Sequence, residues 1–392
     1  MAEHLNPREM MERLVAFPTV SRDSNLDLIA FVQDYLAGHG VESRIVHSDN
    51  EPKANLYAQI GPPVPGGVVL SGHTDVVPVD GQNWSSDPFK VVERDGKLFG
   101  RGTCDMKGFD ALGLALVPEM LKAGLKRPIQ IALSYDEEVG HRGVPSLIEA
   151  LGETLPPASA VFVGEPTSMQ VVTQHKGGCS MNTRLRGFEV HSSLVHTGVS
   201  AIMHAARLIN WHSARMAENR AAAEALGDDA PGILFTPPYT TLHNGIIQGG
   251  TAGNITAKDC WFTSDIRCLP NESGDDWLAL YRVECTRVEA DMQAIHPDTG
   301  ISIEVRLCAP GCHQEVDGEA ERLARMLTGD NGEHAVSYGT EAGHFQNQGG
   351  YSTCVCGPGS IEQAHQPDEF ITIAQLDAGE AFIRRLIGHL ST

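Results

Sequence analysis

The stretch Val68-Val69-Leu70-Ser71-Gly72-His73-Thr74-Asp75 runs from three consecutive apolar residues into small and metal-ligand side chains. A short apolar run without alternation reads as a strand buried on both faces, so His73 and Asp75 fall just beyond its carboxyl end. The same arrangement recurs. Residues 129–133 form a strand with alternating apolar positions and end in Ser134-Tyr135-Asp136-Glu137-Glu138, and the buried run 160–163 ends in Gly164-Glu165-Pro166. Helical spacing of apolar residues separates these strands at 109–121 and 144–151 and precedes them at 7–15 and 26–37, the last stopped by Gly38 and Gly40. Strand–helix alternation of this kind predicts an α/β fold, a mostly parallel sheet sandwiched by helices.

From about Cys179 the pattern changes. A strand (179–185), a long helix (201–216), a Gly/Thr/Asn-rich hairpin-like region (240–269), a helix (275–295) and a strand (301–307) follow in order. That β-α-β-β-α-β order predicts an inserted α+β, ferredoxin-like domain. Helices at 318–327 and 373–387 then resume the first pattern. The expected organisation is one α/β domain of residues 1–178 and 310–392, interrupted by the insertion at 179–309.

The 392 residues carry 29 Lys+Arg against 50 Asp+Glu, a formal charge of −21. Such acidity repels a polyphosphate, and no basic stripe offsets it, so a nucleic-acid partner is excluded. The N-terminal run MAEHLNPREMMERL mixes charges and has no apolar stretch of signal-peptide length. No stretch approaches the ~20 apolar residues of a membrane span, so no membrane partner is expected. The nine cysteines (104, 179, 260, 268, 285, 308, 312, 354 and 356) are odd in number and scattered, and form no zinc-ribbon spacing. They read as reduced, buried thiols of a cytoplasmic protein.

In an open α/β sheet, ligands bind beyond the carboxyl ends of the strands. Besides the three strand ends above, the Gly-rich turn Gly100-Arg101-Gly102-Thr103-Cys104 delivers Asp105 to the start of a helix, and Gly357-Pro358-Gly359-Ser360 leads toward His365. Each piece alone has an ordinary reading: a hydrogen-bonded histidine, a helix-capping Asp, a solvated Glu-Glu turn. Their joint occurrence at one sheet edge points to a divalent metal such as Zn²⁺, which suits mixed N/O donors. If Asp105, Glu138 and Glu165 all ligate, three negative charges face the four positive ones of two ions, and a hydroxide completes neutrality. One ion would leave surplus buried negative charge, which is costly. Adjacent residues leaving a strand point in different directions, so one of Glu137 and Glu138 can bind metal while the other acts as general base. Asp75, two residues after His73, is placed to receive the second ring N–H of His73.

The strings HTDVVPVDGQNWSSDPF, GRGTCDMKGFDALGLA, SYDEEVGHRGV, Gly164-Glu-Pro-Thr167 and CGPGSIEQAHQPDEF, in that order along nearly the whole chain, resemble the di-zinc deacylase and carboxypeptidase family. That family includes acetylornithine deacetylases, succinyl-diaminopimelate desuccinylases, aminoacylases and glutamate carboxypeptidases, and the longer strings look most like the first branch. The resemblance implies His73, Asp105 and Glu165 on one metal and Asp105, Glu138 and His365 on the other, with Zn²⁺ the expected ion and Co²⁺ able to substitute. It implies Glu137 as general base, Asp75 as the partner of His73, and the insertion as a lid that forms a homodimer. It further implies that His191 reaches the partner subunit's site to stabilise an oxyanion, and that Asn254 and Arg267 contact substrate, Arg267 as a carboxylate clamp. Arg267 also reads as a strand-surface ion pair. The implied reaction is hydrolysis of N-acetyl-L-ornithine to L-ornithine and acetate. Open alternatives are another N-acyl amino acid or peptide (succinyl-diaminopimelate, N-acetylcitrulline, a dipeptide, a glutamate conjugate), or a non-catalytic metal- or metabolite-binding relative. The segment Gly339-Thr-Glu-Ala-Gly-His344 is where the family's pocket residues vary, and His344 departs from expectation.

Overall fold

The computed structural model describes residues 4–392. They divide into two compact units, one of residues up to Gln174 with Cys312–His334 and Thr340–Thr392, the other of His175–Gly311 with Ala335–Gly339.

The first unit is built on a sheet whose strands run in the order Ser43–His47, Ala54–Ile60, Ile129–Ser134, Gly67–His73, Ala158–Pro166 and Thr353–Gly357, with the short strand Val172–His175 beyond the last. The four strands from Ile129–Ser134 to Thr353–Gly357 are mutually parallel, and the outer pairings are antiparallel. All seven residues of Gly67–His73 are buried, as expected of a strand covered on both faces. Register sets up the site: His73 pairs with Ser134, Ser71 with Val163 and Gly357 with Pro166, so four carboxyl ends finish side by side.

Two close approaches lock helix Lys107–Ala115 onto this sheet. A Cβ on Gly72 would meet Asp110 Oδ1 at 2.0 Å, and one on Gly164 would meet the Phe109 ring at 2.0 Å. Only glycine lets the helix lie this close. The core beneath joins Leu70, Ile131 and Phe162 of the strands to Leu112, Phe382 and Leu386 of the helices.

Several elements differ from expectation, each for a local reason. The helix expected over 109–121 is two, Lys107–Ala115 and Val117–Lys122, because Pro118 has no N–H to offer the carbonyl of Leu114. Alternation over 129–133 does not mean one wet face: Gln130 is buried too, its amide donating to Pro156 O at 2.9 Å. Strands Ser43–His47 and Ala54–Ile60 flank the parallel core without having been foreseen.

The second unit is an antiparallel sheet in the order Thr241–His243, Asp259–Cys268, Gly177–Arg186 and Gly300–Ala309, with Ile247–Gly249 also on Asp259–Cys268. Helices Ala201–Leu226 and Gly274–Gln293 pack on it around Leu208, Phe262, Tyr281 and Met292, the α+β, ferredoxin-like arrangement. The first helix runs ten residues beyond 216, since Ala217–Leu226 is rich in helix formers and stops only at Gly227, with φ +55°. Reduced thiols are expected throughout, but Cys179 and Cys308, paired in register across two antiparallel strands, form a disulfide. The other seven cysteines are free and buried.

Candidate metal centre

The aligned strand ends, the turn before helix Lys107–Ala115 and the loop after Gly357 bring five of the expected donors together. His73 Nε2 lies 3.0 Å from Asp105 Oδ1 and 3.6 Å from Glu165 Oε1. His365 Nε2 lies 3.2 Å from Asp105 Oδ2 and 3.0 Å from Glu138 Oε2. Asp105 therefore turns one carboxylate oxygen to each imidazole. Ligand atoms of His73, Asp105 and Glu138 stand within 4.8 Å of one another, and so do those of His73, Glu137 and Glu165.

The electrostatics of the cluster fit a cation. Burial pushes the Glu138 carboxyl up to about 8, with Asp105 beside it adding to the rise, and drives Glu165 well above the usual range for the same two reasons. Asp105 is also wholly buried, yet its bonds to His365 and His73 hold it below the ordinary value. Contact with Asp105 and Glu138 raises the His365 imidazole to about 10. Glu165 Oε1 meets no hydrogen-bond donor. Buried carboxylates that resist ionisation, an acceptor with no donor, the buried His73 imidazole and the half-exposed His365 imidazole form a donor set that suits divalent cations.

Around the donors, the structure shows partners that sequence reading missed. His73 Nδ1 is fixed by the backbone carbonyl of Asp75 at 2.9 Å, not by its carboxylate, whose nearer oxygen is 3.6 Å away. The Asp75 carboxylate instead accepts from Ser21 Oγ at 2.7 Å and from the backbone N–H groups of Glu137 and Glu138 at 3.1 and 3.3 Å. It thus ties the 137–138 turn to the His73 strand. Lys53 Nζ donates to Asp136 Oδ1 at 2.7 Å and anchors the same turn, where Asp136 takes a left-handed backbone (φ +57°).

Glu369 does the equivalent for Asp105. Its Oε1 accepts from the N–H groups of Gly102, Cys104 and Asp105 at 2.9–3.1 Å, and its Oε2 accepts from buried Arg101 at 2.6 Å. The Gly-rich turn thus closes around a carboxylate 264 residues on, a pairing local sequence cannot display. Cys104 in that turn is a packed thiol, donating to Ser360 O, and burial pushes its ionisation far up.

Glu137 is buried beside the cluster. Burial alone would raise its carboxyl, but His141, with Nε2 3.2 Å from Oε1, brings it below the usual value. The His141 ring packs edge-on against His344, centroids 5.5 Å apart, which gives that unexpected residue a place. Glu341 is also buried; burial, and then Glu137, push its carboxyl up to about 8, while it accepts from Ser134 Oγ at 2.5 Å.

The remaining expected residues belong to the second unit. His191 and Asn254 are brought together: Ser192 N–H donates to Asn254 O at 2.8 Å, and His191 bridges to Ile255. Both side chains are exposed. Arg267 is exposed on its strand and ion-paired to Asp265 at 3.1 Å.

A family profile described as Peptidase family M20/M25/M40 matches residues 69–389. The acetylornithine deacetylase of Shigella sonnei (strain Ss046) is 36% identical over 397 residues, covering 97% of this chain and 97% of that protein. The acetylornithine deacetylase of Pasteurella multocida (strain Pm70) is 33% identical over 397 residues, covering 98% of each. Among solved structures, the M20 family metallo-carboxypeptidase Sso-CP2 from Sulfolobus solfataricus shares the fold with a TM-score of 0.76 at 16% identity, covering 98% of this chain and 99% of that one. With these likenesses spanning nearly all of its length, and a cation-fitting donor cluster at the carboxyl ends of its parallel strands, the chain belongs to peptidase family M20/M25/M40 and is a metal-dependent hydrolase.

Proposed function

We propose that this protein removes the acyl group from an N-acyl-α-amino acid, with N-acetyl-L-ornithine the first candidate, giving L-ornithine and acetate. The observation that carries this reading is the Asp105 carboxylate turned to both His73 and His365, with Glu165 and Glu138 on the respective sides. His73, Asp105 and Glu165 would hold one divalent ion and Asp105, Glu138 and His365 a second, Zn²⁺ being the best match to this donor set and Co²⁺ a workable substitute. Such ions supply Lewis acidity, lowering the pKa of the attacking water and polarising the acyl carbonyl. Names of relatives 33–36% identical along the whole chain favour acetylornithine over other N-acyl substrates.

Glu137 is the general base in this reading. It is buried among the donors, and His141 keeps it in the ionised form that accepts a proton. It takes the proton of the attacking water and returns it to the leaving amine nitrogen. Asp75 keeps the Glu137 backbone and the His73 ring in register through its two separate sets of bonds.

His191 is suited to donate to the developing oxyanion. Ser193 N–H donates to its Nδ1 at 3.2 Å and Ser193 Oγ lies 2.8 Å from the same nitrogen, an arrangement that suits a ring proton on Nε2. We assign this donation to the site of a partner subunit in a homodimer formed through the second unit. That unit exposes Leu194, Val195, Met203, Ile246 and Ile247, each at least half exposed, apolar side chains that a second copy of the chain would cover. Asn254, next to His191, would contact the substrate, and Arg267 would exchange Asp265 for the substrate carboxylate. The deciding measurement is release of free amino acid from a panel of N-acyl amino acids by the zinc-loaded protein, with a chelator control. Preference for N-acetylornithine, lost on chelation, is the expected result; no release from any member would leave only the metal-binding alternative.

A further inference from the structure

Glu137 needs more than a place beside the metals: a base misplaced by about 1 Å can lose roughly 100-fold in rate. Its backbone sits in a tight turn, where the N–H groups of Gly140 and His141 both donate to the Glu137 carbonyl at 3.1 Å. His141 then adopts a left-handed backbone, φ +52°, unusual for a residue with a side chain. The consequence is that the His141 ring folds back onto the residue four positions before it. Its Nε2 lies 3.2 Å from Glu137 Oε1, with both side chains about nine-tenths buried.

What else touches His141 narrows its role. Its Nδ1 is buried and meets no hydrogen-bonding partner. Its ring also packs edge-on against the His344 ring. A buried imidazole with one polar partner is costly to maintain unless that bond serves a purpose. Here the bond goes to one oxygen of the carboxylate assigned as base, leaving the other oxygen available to a water.

We propose that His141 is a positioning residue for Glu137: its Nε2–H holds Oε1 and thereby aims Oε2 at the attacking water. His344 acts behind it as a wall that fixes the ring plane. The inference rests on the reading of Glu137 as general base. His141 does not touch the substrate and exchanges no proton with it; it acts through Glu137 alone.

The test compares two replacements in the zinc-loaded enzyme. His141→Phe keeps a ring against His344 but has no donor; His141→Gln places an amide N–H near the position of Nε2. The phenylalanine variant should lose about 10- to 100-fold in kcat, with KM within about twofold and two metals per chain retained. The glutamine variant should recover to within a few-fold of the parent. Adding His141→Phe to Glu137→Gln should cost nothing further, since the residue it positions is already disabled. A phenylalanine variant of near-parental kcat, a glutamine variant no better than it, or a full additional loss in the double variant would each overturn the proposal. If the phenylalanine variant does not fold, His141→Asn takes its place, because asparagine tolerates the left-handed backbone and is too short to reach Glu137. Glu137→Gln alone separates the two readings: near-normal turnover there removes the base assignment, whereas an inactive Glu137→Gln beside a fully active His141→Phe removes only this inference.

Discussion

Glu137 and the donors around it differ in what their loss should do. In Glu137→Gln the side chain keeps its size and its place beside His73 and Glu165 but can no longer take a proton. Such a variant should retain both metals while kcat falls by about 10²- to 10⁴-fold, the span usual for general-base catalysis. Metal content by elemental analysis, measured alongside kcat, checks this; metal loss with the activity loss would make Glu137 a ligand instead. His73 and Glu165 were legible as candidate donors because a ligand-type side chain at a strand's carboxyl end is a local pattern, whereas the choice of Glu138 over Glu137, and of His365, came from the family resemblance. The Asp75 carboxylate was placed less well: its spacing to His73 suggested a direct bond, but the backbone carbonyl sits nearer and takes that N–H.

Whole elements, not single side chains, bring the donors within reach of one another. Strand Ala158–Pro166 carries Glu165, and the Phe109 ring presses on the adjacent Gly164. Gly164→Ala should therefore force helix Lys107–Ala115 off the strand, costing about 1–3 kcal/mol by overpacking and weakening metal retention as Asp105 and Glu165 shift apart. A lower Tm together with a raised metal dissociation constant is the expected pair of results. In the second unit, helix Ala201–Leu226 buries His212 against Tyr281, with Nδ1 3.1 Å from Asn244 Oδ1. Burial lowers its pKa below the ordinary value, which Asn244 only partly offsets. The unfolded chain then binds the proton more readily, so this contribution to stability is complete above about pH 6.5. It is lost as pH falls below that value toward the folded pKa. Urea unfolding from pH 7.5 to 5, followed by tryptophan fluorescence, should show a smaller acid loss in His212→Asn than in the parent; three of the four tryptophans (211, 261 and 277) lie in this unit.

At the scale of the whole molecule, metals and a second copy of the chain are the two outside contributions expected. Chelation leaves Asp105, Glu138 and Glu165 facing one another without a cation, so Tm should fall and recover on adding Zn²⁺. An ion at 100 times its dissociation constant stabilises by about 2.7 kcal/mol, and differential scanning calorimetry with and without chelator reads the shift. The proposed homodimer makes a separate prediction. His191→Ala and Glu137→Gln homodimers should both be nearly inactive. A mixed dimer contains one site with an intact Glu137 facing an intact His191, so co-expressed subunits should regain activity that neither parent has. Failure to regain any, in a dimer verified by native mass, would place His191 outside the partner's site.

The sequence alone determined the α/β and inserted α+β layers and the donor types, because hydrophobic period and strand-end chemistry are local properties of the chain. The tertiary structure decided what holds those donors. Glu369 closes the turn at 102–105, Ser21 and Asp75 secure the turn at 137–138, and His141, in a left-handed backbone, reaches Glu137. Most of these partners are far apart in sequence, and the close pair depends on a backbone angle that its residue types do not announce. Strand register does the rest. By pairing His73 with Ser134 and Gly357 with Pro166, it sets the strand ends that carry His73 and Glu165 side by side, and no residue-by-residue pattern encodes that alignment.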